Sequence, residues 1–153
     1  MSNFIKVKIL NGYVNSISLK ALCEEISKWV KEQKGHYICV APVHSCIEAY
    51  DNEEFAKAYN GSDITVPDGR PVFWALKLLG YKDSEHLRGE YITRNVCKYA
   101  AENNFEVGFY GGNKNSLEEC INVLKNQYKS LKVNFSFSPP GVFKDLLKKK
   151  TIN

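Results

Sequence analysis

Ser62-Asp63-Ile64-Thr65-Val66-Pro67-Asp68-Gly69-Arg70-Pro71 is an apolar run that ends in a carboxylate, a glycine and a helix-compatible proline. It reads as a buried strand that delivers Asp68 to the mouth of a crevice, where Gly69 permits a tight turn and Pro71 opens the next helix. In an α/β fold the loops at the carboxyl ends of strands line the ligand cleft, so an acid placed there can act as a base or contact a substrate. The same pattern suits an aspartate that only caps the following helix, and local sequence leaves the two readings level.

Upstream, Tyr37-Ile38-Cys39-Val40-Ala41 is a continuous apolar run suited to a strand buried on both faces, followed by Pro42-Val43-His44-Ser45 and a short helix. Asn52 can cap a further helical turn through Phe55, Ala56 and Tyr59, which Gly61 ends. At the start of the chain Phe4, Lys6 and Lys8 alternate with Ile5, Val7 and Ile9, and Asn11-Gly12 leads into a second run from Tyr13 to Ile17, the signature of a β-hairpin. Ser18 then caps a helix whose Leu19, Leu22, Cys23, Ile26, Trp29 and Val30 fall at helical spacing, with Gly35 as its stop.

Downstream, a helix runs from Pro71 through Val72, Ala75, Leu76 and Leu79 to Gly80, and a polar loop from Tyr81 to Leu87 leads to Arg88-Gly89. A helix of about Tyr91 to Asn103, with Ile92, Val96, Tyr99 and Ala100 inward, precedes a buried strand from Phe105 to Tyr110. That strand ends in Gly111-Gly112-Asn113, ahead of a helix carrying Leu117, Cys120, Ile121, Leu124 and Tyr128. Glycines between a strand and a helix can expose N–H groups to a phosphate, but paired glycines in that place are more often just a turn. The last strand spans about Leu131 to Phe137, and Ser138-Pro139-Pro140-Gly141 breaks it. Strands and helices alternating in this way predict an α/β fold: a parallel sheet with helices on both faces, preceded by the N-terminal hairpin.

Composition bounds the function. The 153 residues suit one domain, assigned to 1-143, with a lysine-rich tail at 144-153, and 44% hydrophobic with 25% charged residues is the balance of a soluble protein without a membrane span. The first twenty residues carry lysines among alternating apolar positions and no signal-peptide pattern, which points to a cytoplasmic location. The five cysteines, odd in number and without metal-ligand spacing, read as reduced core residues, and His36, His44 and His86 are too scattered for a metal site. Of the formal charge of +4, the last eleven residues hold +3 and residues 1–142 only +1. A near-neutral body of this kind does not predict a nucleic-acid partner, and the lysine tail reads as a solvated terminus or a contact to anionic lipid.

Taken together, Ile38-Cys39-Val40-Ala41-Pro42-Val43-His44-Ser45, the block from Ser62 through Trp74-Ala75-Leu76, Leu87-Arg88-Gly89, Phe109-Tyr110-Gly111-Gly112-Asn113 and Phe137-Ser138-Pro139-Pro140 resemble the WecG/TagA/CpsF family of glycosyltransferases over roughly residues 4–141. The resemblance implies a Rossmann-like fold and the transfer, with inversion and without metal or other cofactor, of an N-acetylmannosamine-type sugar from a UDP donor to a lipid-linked saccharide acceptor. It matches Asp68 to the family's proposed base and Arg88 to the arginine that meets the charge of the departing diphosphate, against the alternative of a surface ion pair for Arg88. Pro42, His44, Gly69, Gly111, Gly112 and Asn113 are then the substrate-binding candidates, with His44 either bonding the substrate or closing its turn. Family members usually continue past the Ser-Pro-Pro block into further elements and a membrane-associating appendage. The expectations that follow are a shortened chain, its alternative role as a non-catalytic nucleotide-sugar-binding remnant, peripheral membrane contact, and self-association through an uncovered sheet edge.

Overall fold

The computed structural model describes residues 4–140, in two compact units that divide between Thr93 and Arg94. The lysine-rich tail expected at 144–153 lies outside the described residues.

In the first unit β1 (Lys6–Ile9) and β2 (Gly12–Asn15) form the expected antiparallel hairpin. Ile9 pairs with Gly12, so the turn is Leu10-Asn11, one position earlier than the Asn-Gly pattern suggests. Leu10 takes it at φ 54°, a left-handed conformation that costs an L-residue about 1–2 kcal/mol. Gly12 serves packing instead, since a Cβ there would stand 2.7 Å from Tyr59 Cε1. Asn60 fastens the turn: its Nδ2 donates to the Asn11 carbonyl at 2.9 Å and its Oδ1 accepts from the Tyr13 N–H at 3.0 Å.

Helix α1 (Leu19–Glu32) starts as expected, with Ser18 Oγ accepting from the Ala21 N–H. It ends two residues before Gly35, at Gln33 with φ 53°. Beyond that point His36 stacks on Trp29 with ring centroids 4.4 Å apart, and its Nδ1 lies 2.9 Å from Asp63 Oδ1. The inward face also differs by one position: Ser27 is buried and Val30 is exposed.

β3 (Ile38–Ala41) and β4 (Ile64–Pro67) pair in parallel across α2 (Val43–Asp51) and α3 (Glu53–Asn60), and α4 (Arg70–Leu78) follows. Alternation along the strands sorts two cores. Ile38, Ile64 and Val66 pack with Leu22 and Trp29 of α1 and with Leu87, whereas Cys39 and Ala41 join Val14, Cys46, Ala49, Tyr59, Val72 and Leu76. Helices therefore cover both faces of this pair. β4 is buried at all four positions, while β3, expected to be buried throughout, leaves Val40 36% exposed.

Asn15 joins the hairpin to this pair. It is 1% exposed, and its Oδ1 accepts the Thr65 N–H at 2.7 Å, doing with a side chain what a strand carbonyl would do. Replacing it by leucine leaves the Thr65 N–H buried without an acceptor, and we expect a loss of about 2–3 kcal/mol in urea unfolding. A loss below about 0.5 kcal/mol would mean that another acceptor takes that proton.

Far along the chain, residues 84–87 return to the same core. Ser84 Oγ donates to Ser16 Oγ at 2.8 Å, the Glu85 N–H donates to the Ile17 carbonyl at 3.3 Å, and Glu85 Oε2 accepts the Leu19 N–H at 2.9 Å.

The boundary between the units falls inside α5 (Gly89–Glu102). The second unit holds β5 (Glu106–Tyr110), α6 (Lys114–Gln127) and β6 (Lys132–Phe137), with β5 parallel to β6 and a register shift between Val107 and Gly108. Its core is Cys97, Ala100, Ala101, Leu124 and Leu131, with Phe105, Val107 and Phe109 against it. β5 is amphipathic where a buried strand was expected, with Tyr110 72% exposed. Burial pushes the thiols of Cys23, Cys46 and Cys97 up from their ordinary pKa, in keeping with inert core positions, but Cys120 is exposed. The α/β class, the hairpin and the parallel pairing are as the alternation predicts.

Candidate functional site

Three backbone segments of the first unit end side by side. The Asp68 N–H donates to the Ala41 carbonyl at 3.1 Å, which extends the parallel pairing one step past β4, and the Leu87 N–H donates to the Pro67 carbonyl at 3.1 Å. Pro42, Asp68 and Arg88 are thus neighbours, on or directly after these bonded residues. Each segment turns at once into a helix: α2 from Val43, α4 from Arg70, and α5 from Gly89, with the Arg88 carbonyl accepting the Ile92 N–H. Gly69 makes the turn after Asp68 at φ 78°, ψ 149°, where a side chain would be strained although nothing but Pro71 Cδ, at 3.8 Å, stands near a Cβ.

The helix ends here differ from those elsewhere. Ser18, Asn52 and Asn113 cap α1, α3 and α6 with their side chains, whereas α2 begins at Pro42 and α4 at Gly69 with no side-chain cap. Their first N–H groups stand at the positive ends of the helix dipoles, the arrangement that suits an anion. Asp68 does not cap α4, and its half-buried carboxylate makes no hydrogen bond among the described residues. The capping alternative for this residue therefore falls. Arg88 is exposed and forms no ion pair among the described residues. His44, second in α2, is exposed and likewise unbonded among them.

The other two glycine candidates lie in the second unit. Gly111 at φ 114° and Gly112 at φ 67° leave nothing within 4 Å of where a Cβ would stand, so other backbone or a ligand can approach closely. Two bonds fix the turn: the Gly111 N–H donates to the Phe137 carbonyl at 2.9 Å, and Ser138 Oγ donates to the Gly112 carbonyl at 2.8 Å. Asn113 Oδ1 accepts the Ser116 N–H at 2.9 Å, so this side chain is the cap of α6.

Two residues that sequence reasoning passed over stand beside Asp68 and Arg88. Arg70 is exposed at the first position of α4, two residues from Asp68, with no ion pair among the described residues. The signal was present in the Asp68-Gly69-Arg70 run. His86 precedes Leu87-Arg88, lies 5.7 Å from the Phe73 ring, and keeps a buried Nε2 without a hydrogen-bond partner among the described residues. A lone histidine in a polar loop gives no warning of that placement. A cleft of about 380 Å³ opens at the other end of β3, between Trp29 and Val30 of α1 and His36 and Ile38, and holds none of the candidate residues. No three His, Cys, Asp or Glu side chains gather as a metal-binding group among the described residues.

Residues 7–152 match the family model described as the glycosyl transferase WecG/TagA/CpsF family. Over 105 residues the chain is 24% identical to N-acetylglucosaminyldiphosphoundecaprenol N-acetyl-beta-D-mannosaminyltransferase of Bacillus spizizenii (strain ATCC 23059 / NRRL B-14472 / W23), a stretch that covers 69% of this chain and 41% of that relative. The chain thus spans less than half of that relative's length. Because the family model covers nearly every residue of both units, the chain belongs to the WecG/TagA/CpsF family of glycosyltransferases.

Proposed function

We propose that this chain is a glycosyltransferase that moves an N-acetylmannosamine-type sugar from a UDP donor to a lipid-linked saccharide acceptor, with inversion, for cell-wall polymer assembly at the cytoplasmic face of the membrane. The observation that carries the reading is the meeting of Asp68 and Arg88 on hydrogen-bonded backbones at two uncapped helix ends. Family membership and the acceptor named for the Bacillus relative support the choice of sugar and acceptor.

The chemistry follows from those groups. As the acceptor hydroxyl attacks the anomeric carbon, the Asp68 carboxylate takes its proton. The new C–O bond forms while the bond to UDP breaks, and the electron pair leaves with the diphosphate. Charge growing on that leaving group is met by the Arg88 guanidinium, by Arg70 at the start of α4, and by the free N–H groups that open α2 and α4. His44 and Pro42 bound the entrance to α2, where a sugar hydroxyl can be bonded. The Gly111-Gly112 turn is assigned to nucleotide contact on its own geometry, since both residues present bare backbone.

The test is transfer from UDP-N-acetylmannosamine to a prenyl-diphosphate-linked N-acetylglucosamine analogue, run beside calorimetry with UDP. Both transfer and UDP binding are expected. Binding without transfer to any acceptor would mark a nucleotide-sugar-binding module instead, and absence of both would remove the reading.

A further inference from the structure

α4 carries an outward face that the unit does not use. Val72 and Leu76 point into the core, and on the far side of the helix Trp74 is 58% and Leu78 90% exposed, with Leu79 at 56% just beyond. Pro71, Trp74 and Leu78 stand at i, i+3 and i+7, so they form one stripe. Cations flank it. Arg70 opens the helix, Lys77 lies 5.2 Å over the Phe73 ring and donates to the Lys82 carbonyl, and Lys82 is exposed. The helix contains no acidic residue, and none of these three cations is ion-paired among the described residues.

A tryptophan and leucines bordered by unpaired lysine and arginine is the chemistry of a helix that lies in the interface of an anionic bilayer, apolar side down, with cations among the headgroups. Charge separates this face from the other exposed apolar stripe of the unit. Val43, Ile47 and Tyr50 of α2 are also exposed, but Glu48 and Asp51 accompany them, with Glu53 and Glu54 following. An anionic surface repels that stripe and attracts α4. A second copy of the chain is the poorer occupant, because a two-fold contact through α4 would set like-charged rims against each other. No described helix is long and apolar enough to cross a membrane, so attachment through α4 would be peripheral.

We propose that the Trp74–Leu78 face of α4 docks on an anionic lipid surface. Its significance rests on the glycosyltransferase reading: α4 begins two residues after Asp68, so a helix lying in the headgroup layer holds the base at the depth where the diphosphate of a lipid-linked acceptor sits.

The experiment uses the full chain with vesicles of phosphatidylglycerol and phosphatidylcholine, and with phosphatidylcholine alone. Trp29 is buried, so Trp74 is the tryptophan whose emission reports the surface. Co-sedimentation with the anionic vesicles and a blue shift of Trp74 are expected, both weaker on neutral vesicles. Trp74→Ser combined with Leu78→Ser, both exposed and so harmless to folding, should lower partitioning by about tenfold or more. Trp74→Phe should keep binding and lose the shift. Unchanged partitioning of the double variant would place attachment elsewhere, in the lysine tail for instance, and overturn the proposal. A blue shift that grows with protein concentration in the absence of lipid would overturn it in favour of a second copy. UDP calorimetry on the same double variant tests the nucleotide reading by itself, so failure of one leaves the other standing.

Discussion

Asp68→Asn is expected to keep the fold and most of the affinity for UDP while lowering turnover by about 10²-fold or more, the usual scale for removing a general base. The substitution preserves shape and removes only the capacity to hold a proton. Folding should be spared because the carboxylate caps nothing and bonds nothing among the described residues, and because the backbone N–H that anchors residue 68 to Ala41 is retained. Thermal unfolding, UDP calorimetry and steady-state transfer measured on one preparation separate these effects. Transfer at the unsubstituted rate would remove Asp68 from the chemistry whatever its position.

Arg88→Ala should act on a different quantity. On the proposed mechanism it deletes the charge that meets the departing diphosphate, in both the bound nucleotide and the transition state, so UDP binding and turnover should both fall. The loss in kcat/KM is expected at about 2–4 kcal/mol, or roughly 30- to 1,000-fold. Arg88→Lys should recover only part of it, because an ammonium restores the charge but not the planar fork that grips two phosphate oxygens. Stability should change little, since Arg88 is exposed and its carbonyl, not its side chain, opens α5. If only KM rises and kcat holds, Arg88 binds the ground state and lends nothing more to the transition state.

Much of this architecture was legible from local pattern. Ser18 and Asn52 cap the helices they were expected to cap, and Ile64 to Pro67 is the buried strand that delivers Asp68. What local pattern could not supply are the links between distant residues. Asn15 looks like one more polar residue of a hairpin, yet it serves Thr65, fifty positions on. Gly35 looks like the stop of α1, but Gln33 ends the helix where His36 is drawn to Trp29 and Asp63. The site shows the same division. Asp68 could be singled out from its neighbours, and Arg88 through its resemblance to a family block. That the two backbones meet depends on the Leu87-to-Pro67 bond, which no spacing announces, and His86 arrives beside them by the same bond. Periodicity also overstated burial at Val40, Cys120 and Tyr110, each placed on a solvent side that apolar character alone does not reveal.

The clasp of Ser84 and Glu85 on residues 16–19 governs when this site can exist during synthesis. A ribosome adds about 5–20 residues each second, so several seconds separate the emergence of Ser16 from that of Glu85. Throughout that interval the hairpin and α1 have their local bonds but lack Leu87, which fills the core between α1 and β4. Arg88 reaches its place only after a loop of more than sixty residues closes, a step whose entropic cost rises only slowly with length but which no local contact can anticipate. The nascent chain must therefore carry an open apolar seam beside Ile64 and Val66 until then, and Asp68 and Arg88 are brought together last of all in their unit.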